Sequence, residues 1–372
     1  MLLTNSNFFN TFSKIFFNHF SLVMEIKIIT MKKEFLKLGY FVALGSILCV
    51  SCSKDDNEVD EIDENTESTQ LFASNNNSGN VTVYDMVSGE VSTLTTTSTA
   101  AEGIYYDANT DEIIQASRSS NQLNVFADVS TFLLNATITA SVSSSSDVES
   151  PRDIAVKDNF IVVSDNSDAD GDPDTADGRL FVYTRSNGNL SLRNVVTTDF
   201  AVWGIEFVGE NLYAVVDKTN ELAVYTSFTA QNTTDATVSA SKRIAIEGIV
   251  RTHGLAYDKG TMILTDVGDA MSDVDGAFHI IVDFDAKFNA VNDGGVMAVA
   301  NNQTRISGTK TLLGNPVAAE YDAASQTVFI AEAANGGGRV LAFSNTDAGG
   351  DLAPSVNNSL SKASSLYFYT NK

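Results

Sequence analysis

The sequence predicts an all-β fold, a six-bladed β-propeller whose ring closes when the C-terminal strand completes the first blade. Three observations carry that prediction. One unit recurs: aligning its first apolar strand gives Ile104, Ile154, Ile205, Leu255, Ala319 and Leu366, at separations of 50, 51, 50, 64 and 47 residues. A period near fifty with three or four short strands per unit is that of propeller blades. Within each unit the apolar residues alternate or run on continuously, instead of recurring at the helical spacing of three and four. The ends are also incomplete in complementary ways. LFASNNNSGNVTVYD, after Gln70, matches a second and third strand without a first, and the closing ASSLYFYTNK matches a first strand alone. Joining them makes six blades and leaves no open sheet edge at the seam.

The elements follow in chain order. From Met31 the chain reads MKKEFLKLGYFVALGSILCVSC, with Lys32, Lys33 and Lys37 as a positive start and Leu38 to Val50 as an apolar run too short to span a bilayer. Residues 1–30 do not look like a leader, so Met31 is the expected start. After Cys52 the acidic run through Glu67 cannot bury apolar surface and reads as an extended tether. The expected division is leader 1–51, tether 52–69 and propeller 70–372. The clearest blade is Val202 to Phe228, with strands at Ile205–Val208, Leu212–Val216 and Leu222–Thr226 around a Gly209-Glu210-Asn211 turn. The extra length of the fifth unit falls in polar stretches at 266–277 and 289–313.

Composition narrows the function. A net charge of −24 argues against nucleic acid as a partner, because phosphate binding needs clustered Lys and Arg. Both cysteines, Cys49 and Cys52, precede the folded part, which rules out disulfides, thiol nucleophiles and cysteine-based zinc sites there. HExxH, GxSxG and Walker-type motifs are missing. No transmembrane helix is expected in the mature chain.

Three resemblances add to this reading. Cys49-Val50-Ser51-Cys52 closing an apolar run resembles a bacterial lipoprotein signal, which implies lipidation of Cys52; a plain secretory leader is the alternative. Lys54 followed by acidic residues resembles the surface-export signal of Bacteroidetes lipoproteins, which implies an outer-membrane protein facing outward. The pattern GI-x-x-D…LYVAD…N-x-L-x-VY, spread over 70–372, resembles NHL and YVTN propeller repeats, which implies a fold more than an activity.

Candidate sites follow from the architecture. Residues just ahead of each first strand converge on the channel mouth: Glu102, Arg152, Trp203, His253, Val317 and Ser364. The ends of the second strands form another ring: Asn75, Arg118, Asp165, Asp217, Asp266 and Glu332. The expected ligand set at the mouth is Glu102, Arg118, Arg152, Trp203, Asp217 and His253, which offers an aromatic platform, both charge signs and an imidazole. The alternative is that these groups pair with one another and plug the channel. In DNSDADGDPDTADG, Asn166, Asp168, Asp170, Asp172, Asp174 and Asp177 approach a calcium-loop pattern, with Gly171 for the sharp turn and Asp where Glu normally closes it. Asp266, Asp269, Asp273 and Asp275 form a weaker version.

These features point first to a surface-displayed binding module for a glycan, peptide or partner protein. A second expectation is a calcium-dependent hydrolase. Glu102-Gly103 looks similar to the first ligand position of gluconolactonase- and regucalcin-type lactonases, with Asp217 as a further oxygen, although His253-Gly254-Leu255 stands where their Asn precedes Gly-Leu. A structural accessory subunit of an envelope complex is the third.

Overall fold

A computed structural model describes residues 68–371 apart from Leu133 and Pro173. The expected leader, the expected lipidation site Cys52 and the expected tether as far as residue 67 lie outside the described residues, and the propeller begins with its first strand at Thr69. Among the described residues, the strands form six small sheets, the blades of a six-bladed β-propeller.

Blade one holds β1 (Thr69–Asn75), β2 (Val81–Asp85) and β3 (Val91–Leu94). Blade two holds β4 (Ala101–Asp107), β5 (Glu112–Ser117), β6 (Gln122–Phe126) and β7 (Val142–Ser143). Blade three holds β8 (Pro151–Lys157), β9 (Phe160–Asp165), β10 (Gly178–Ser186) and β11 (Asn189–Thr198). Blade four holds β12 (Val202–Val208), β13 (Asn211–Val216) and β14 (Glu221–Tyr225), then helix α1 (Phe228–Gln231), β15 (Ala236–Val238) and its own outer strand β16 (Lys242–Ile246). Blade five holds β17 (Leu255–Asp258), β18 (Thr261–Asp266) and β19 (Ala277–Ile281), then α2 (Phe284–Ala290), β20 (Val296–Met297) and outer strand β21 (Thr304–Ser307). Blade six holds β22 (Pro316–Asp322), β23 (Thr327–Glu332), β24 (Arg339–Phe343) and β25 (Val356–Ser359). The chain then returns to blade one, where β26 (Ala363–Thr370) pairs antiparallel with β1 in the register Thr69↔Thr370 to Asn75↔Ala363. The expected closure is therefore present, and each aligned apolar residue sits on an inner strand.

The core is a ring of interfaces. Each of the six apolar clusters lies between two neighbouring blades. Strand β13 shows why its sequence is continuously apolar: Leu212, Ala214 and Val216 pack toward blade three, while Tyr213 and Val215 pack toward blade five. A strand buried on both faces has no polar side to alternate with. Near the axis the inner strands approach closely. A Cβ on Gly254 would lie 2.6 Å from Ala318 Cα, and one on Gly204 would lie 2.5 Å from the His253 carbonyl oxygen.

Four connections between third and fourth strands share a device that the sequence reading lacked. In blades two, four, five and six the third strand ends, one residue follows, and the next adopts a left-handed conformation: Asp128, Ser227, Asp283 and Asn345. A helical turn follows each, and in blades two, four and five its first N–H donates to a carbonyl of the blade's inner hairpin turn, at Asp111, Glu210 and Gly260. The chain then runs parallel to the outer strand of the preceding blade. β15 joins β11, β20 joins β16, Thr137 bridges to Thr95, and Gly350 bridges to Ile306.

Candidate functional site

The six residues expected at the channel mouth come together in one network. The start of each inner strand lies at the axis, so Glu102, Arg152 and Trp203, second in β4, β8 and β12, and His253, just ahead of β17, arrive from four consecutive blades. Glu102 is buried, and its two oxygens are occupied. Asn76 Nδ2 donates to Oε1 at 2.8 Å, Arg152 donates to Oε2 at 2.8 Å, and Arg118 lies 3.4 Å from Oε2. The Arg152 guanidinium sits 4.0 Å from the Trp203 ring centre, and Trp203 stacks on His253 at 3.8 Å and 3°. This run of acid, guanidinium, indole and imidazole combines ion pairing with cation–π contact.

Asp217 closes the circuit. Its Oδ1 lies 3.2 Å from Arg251 and 3.3 Å from His253 Nε2. Asn166 spans the gap, accepting from Arg152 Nε at 2.8 Å and donating to Asp217 Oδ2 at 3.4 Å. His253 Nε2 lies between Arg251 Nε, at 3.0 Å, and Asp217, while its Nδ1 is buried without a hydrogen-bond partner. Burial, and then the charges of Arg251 and Arg152, depress the His253 pKa against the pull of Asp217, so the ring is neutral. Burial raises Asp217, but the contact with His253 and the Arg251 charge outweigh it and hold the carboxylate ionised. Three guanidinium groups thus face two carboxylates, and Arg118 is the most exposed of them, at 32% against 13% for Arg152 and 22% for Arg251.

The expected ligand residues pair with one another, the arrangement that stood as the alternative. Arg251 and Asn76 were not among the expected residues. Arg251 stands two positions ahead of His253, outside both rings. Asn166, expected in the calcium loop, turns to the mouth instead.

Most of the second ring serves the loops. Asp165 accepts from the backbone N–H groups of Glu149, Ser150 and Ser167, and Asp266 from those of Val250, Arg251 and Gly268. Glu332 accepts from those of Gly314, Asn315, Ala334 and Asn335, and Asn75 from Asn77 and Ser78. These side chains tie the connecting loops to the strand ends. Only Arg118 and Asp217 of that ring turn inward.

In the acidic loop, Asp168, Asp170 and Asp177 each bring one oxygen within 4.8 Å of the others. Asp172 and Asp174 stay outside that group, and the Asp266–Asp275 loop makes no such group among the described residues. Asp168 Oδ1 also accepts from Gly171 N–H at 2.6 Å, and Asp177 Oδ1 from Ala169 N–H at 2.8 Å, so these carboxylates fold the loop as well.

No protein family matches this sequence, and no curated protein is similar to it. Among solved structures, a nidogen/laminin complex contains a chain that superposes with a TM-score of 0.51 at 11% identity, over 81% of this chain and 98% of that one. A computationally designed protein, Ika8, gives a TM-score of 0.39 at 12% identity, over 75% and 69%. The nidogen likeness shows the shared propeller fold.

Proposed function

We propose that this protein is a non-catalytic interaction module that docks a partner protein or peptide on its loop-rich face. The carrying observation is the state of Glu102, whose oxygens are taken by two guanidinium groups and an amide. A metal ion there would have to displace Arg152 and Arg118, so the mouth suits recognition better than the lactonase-type chemistry that Glu102-Gly103 suggested. The loops around the mouth also expose apolar side chains: Met271 at 94%, Val250 at 65% and Val274 at 61%. An apolar tip beside a surplus guanidinium fits a protein surface carrying a carboxylate. The chain that superposes comes from a complex of nidogen with laminin, two proteins bound to one another.

The same reading takes Cys52 as the lipid attachment point of an outer-membrane protein facing outward. Calcium at Asp168, Asp170 and Asp177 would brace the loop beside the mouth. The test is binding of the purified full chain to intact outer-membrane preparations. Arg118→Glu combined with Met271→Asp should weaken it about tenfold, the scale of one lost anchoring contact, with unchanged circular dichroism. Undiminished binding by that double variant would remove the loop-face reading. Cys52→Ser should separately abolish metabolic labelling with an alkynyl fatty acid.

A further inference from the structure

Behind the paired mouth, the axis opens into a cavity of about 680 Å³ that is independent of the loop-face docking just proposed. Its walls come from the inner strands of all six blades, and it reaches the inner hairpin turns at Asp258–Lys259 and Asp322–Ser325. Its first residues, Asp153, Gly254, Ala318 and Ser365, directly follow the mouth positions, so the paired mouth lies at its inner end. The volume falls within the range of roughly 300–1,000 Å³ typical of small-molecule sites.

The chemistry of the walls is one-sided. Asp153, Glu206 and Glu320, from blades three, four and six, all line the cavity. None has an ion-pair partner among the described residues. Asp153 accepts from the N–H groups of Ile154 and Ile205 at 2.9 and 3.0 Å, and backbone N–H groups of Phe207 and Phe368 support Glu206 and Glu320. At the rim, Asp258 and Asp322 add two acids and Lys259 one base. Five tyrosines, including the Tyr105–Tyr367 pair with ring centres 4.6 Å apart, supply aromatic faces. Ser365, also in the wall, is 1% exposed, and its hydroxyl has no hydrogen-bond partner.

We propose that this cavity binds a small organic cation, a protonated amine with an apolar body, through Asp153, Glu206 and Glu320 and the tyrosine faces, with Ser365 as a polar contact. A group of like charges half-buried in one cavity wall calls for a compensating cation, and the rings supply its second attraction. The three carboxylates do not form a set with ligand atoms within 4.8 Å of one another. That spacing favours a cation larger than a bare metal ion. Without such a ligand the acids resist ionisation. Burial, with a lesser part from neighbouring acids, raises Asp153 to about 7 and Glu206 to about 8, and raises Glu320 well above its ordinary range.

Calorimetric titration of the full chain with 2-phenylethylamine, cadaverine, 2-phenylethanol and calcium chloride tests the assignment. An amine should bind while 2-phenylethanol does not. At neutral pH binding should release protons, seen as a heat that varies with the buffer's ionisation enthalpy. Affinity should rise as pH moves up through the values of Asp153 and Glu206, because the amine keeps its charge while the acids gain theirs. Glu206→Gln with Glu320→Gln should weaken binding at least about tenfold. Lys259→Glu, at the exposed rim, should tighten it, and provides a second reading if the double variant fails to fold. Absence of amine binding, equal binding of the neutral alcohol, indifference to both variants, or calcium binding lost with the two glutamates would each overturn the assignment.

Discussion

Arg152 ties three parts of the mouth together: it pairs with Glu102, covers Trp203 and bonds Asn166. Arg152→Ala should cost about 3 kcal/mol in urea unfolding, because it leaves the charge of the buried Glu102 with only the longer Arg118 ion pair beside the neutral Asn76 amide. Arg152→Lys should recover only part of that loss, since an ammonium lacks the planar fork and the stacking surface. In the cavity, Glu206 is the informative titrating group. Below its ordinary value of 4.5 it is protonated in both folded and unfolded chains. As pH rises toward about 8 the unfolded chain ionises first, so the folded state loses stability across that window. Glu206→Gln should therefore gain in melting temperature relative to wild type as pH rises, measured by calorimetry without ligand. Trp203 was legible because it differs from its counterparts in the other blades, and Arg118 because it breaks a mostly acidic ring. Asp165, Asp266 and Glu332 were misleading for a physical reason: a carboxylate at a strand end can face the axis or clamp a loop, and its position in sequence is the same either way. Asn166 was hidden inside a convincing pattern of oxygen ligands.

At the level of elements, the strands were legible and the connectors were not. Helices α1 and α2 span four and seven residues, too short for an apolar period to declare itself. Strands β15 and β20, of three and two residues, exist only because a neighbouring blade offers an edge. Met297 on β20 is buried with Ile244 and Ile246, and Met297→Ala should cost about 3 kcal/mol through the cavity it leaves. Ser227 adopts φ 47 ahead of α1, and Ser227→Gly should stabilise by about 0.5 kcal/mol, relief of strain exceeding the added freedom of the unfolded chain. Both differences are read by denaturant unfolding.

For the whole molecule, ring closure was the most legible feature, since the two incomplete ends specify each other. The central cavity was the least legible. Glu206 and Glu320 occupy the same position in their blades as Tyr105, Ala155, Ala256 and Tyr367, and only the closed ring turns that column, Ala256 excepted, into a wall. A chain ending before Ala363 would lose β26, leaving β1 with an open edge and blade one without its axial strand. Such a truncation should aggregate or elute as an expanded species in size-exclusion chromatography.

The pairing of β1 with β26 also sets how the molecule bears load. Ser68 N–H donates to Asn371 Oδ1 at 2.5 Å, and Asn371 N–H donates back to the Ser68 carbonyl at 3.1 Å, so the chain enters and leaves the propeller side by side. That point lies at the cavity end, since Tyr369 and Thr370 line its rim. The loop-rich face lies at the other end of the same strands. Tension between an anchor before residue 68 and a partner held on the loops would run along β1. It would shear that strand from β26 and β2 together instead of peeling its hydrogen bonds one at a time. The seam that completes the ring is thus also oriented as a mechanical clamp.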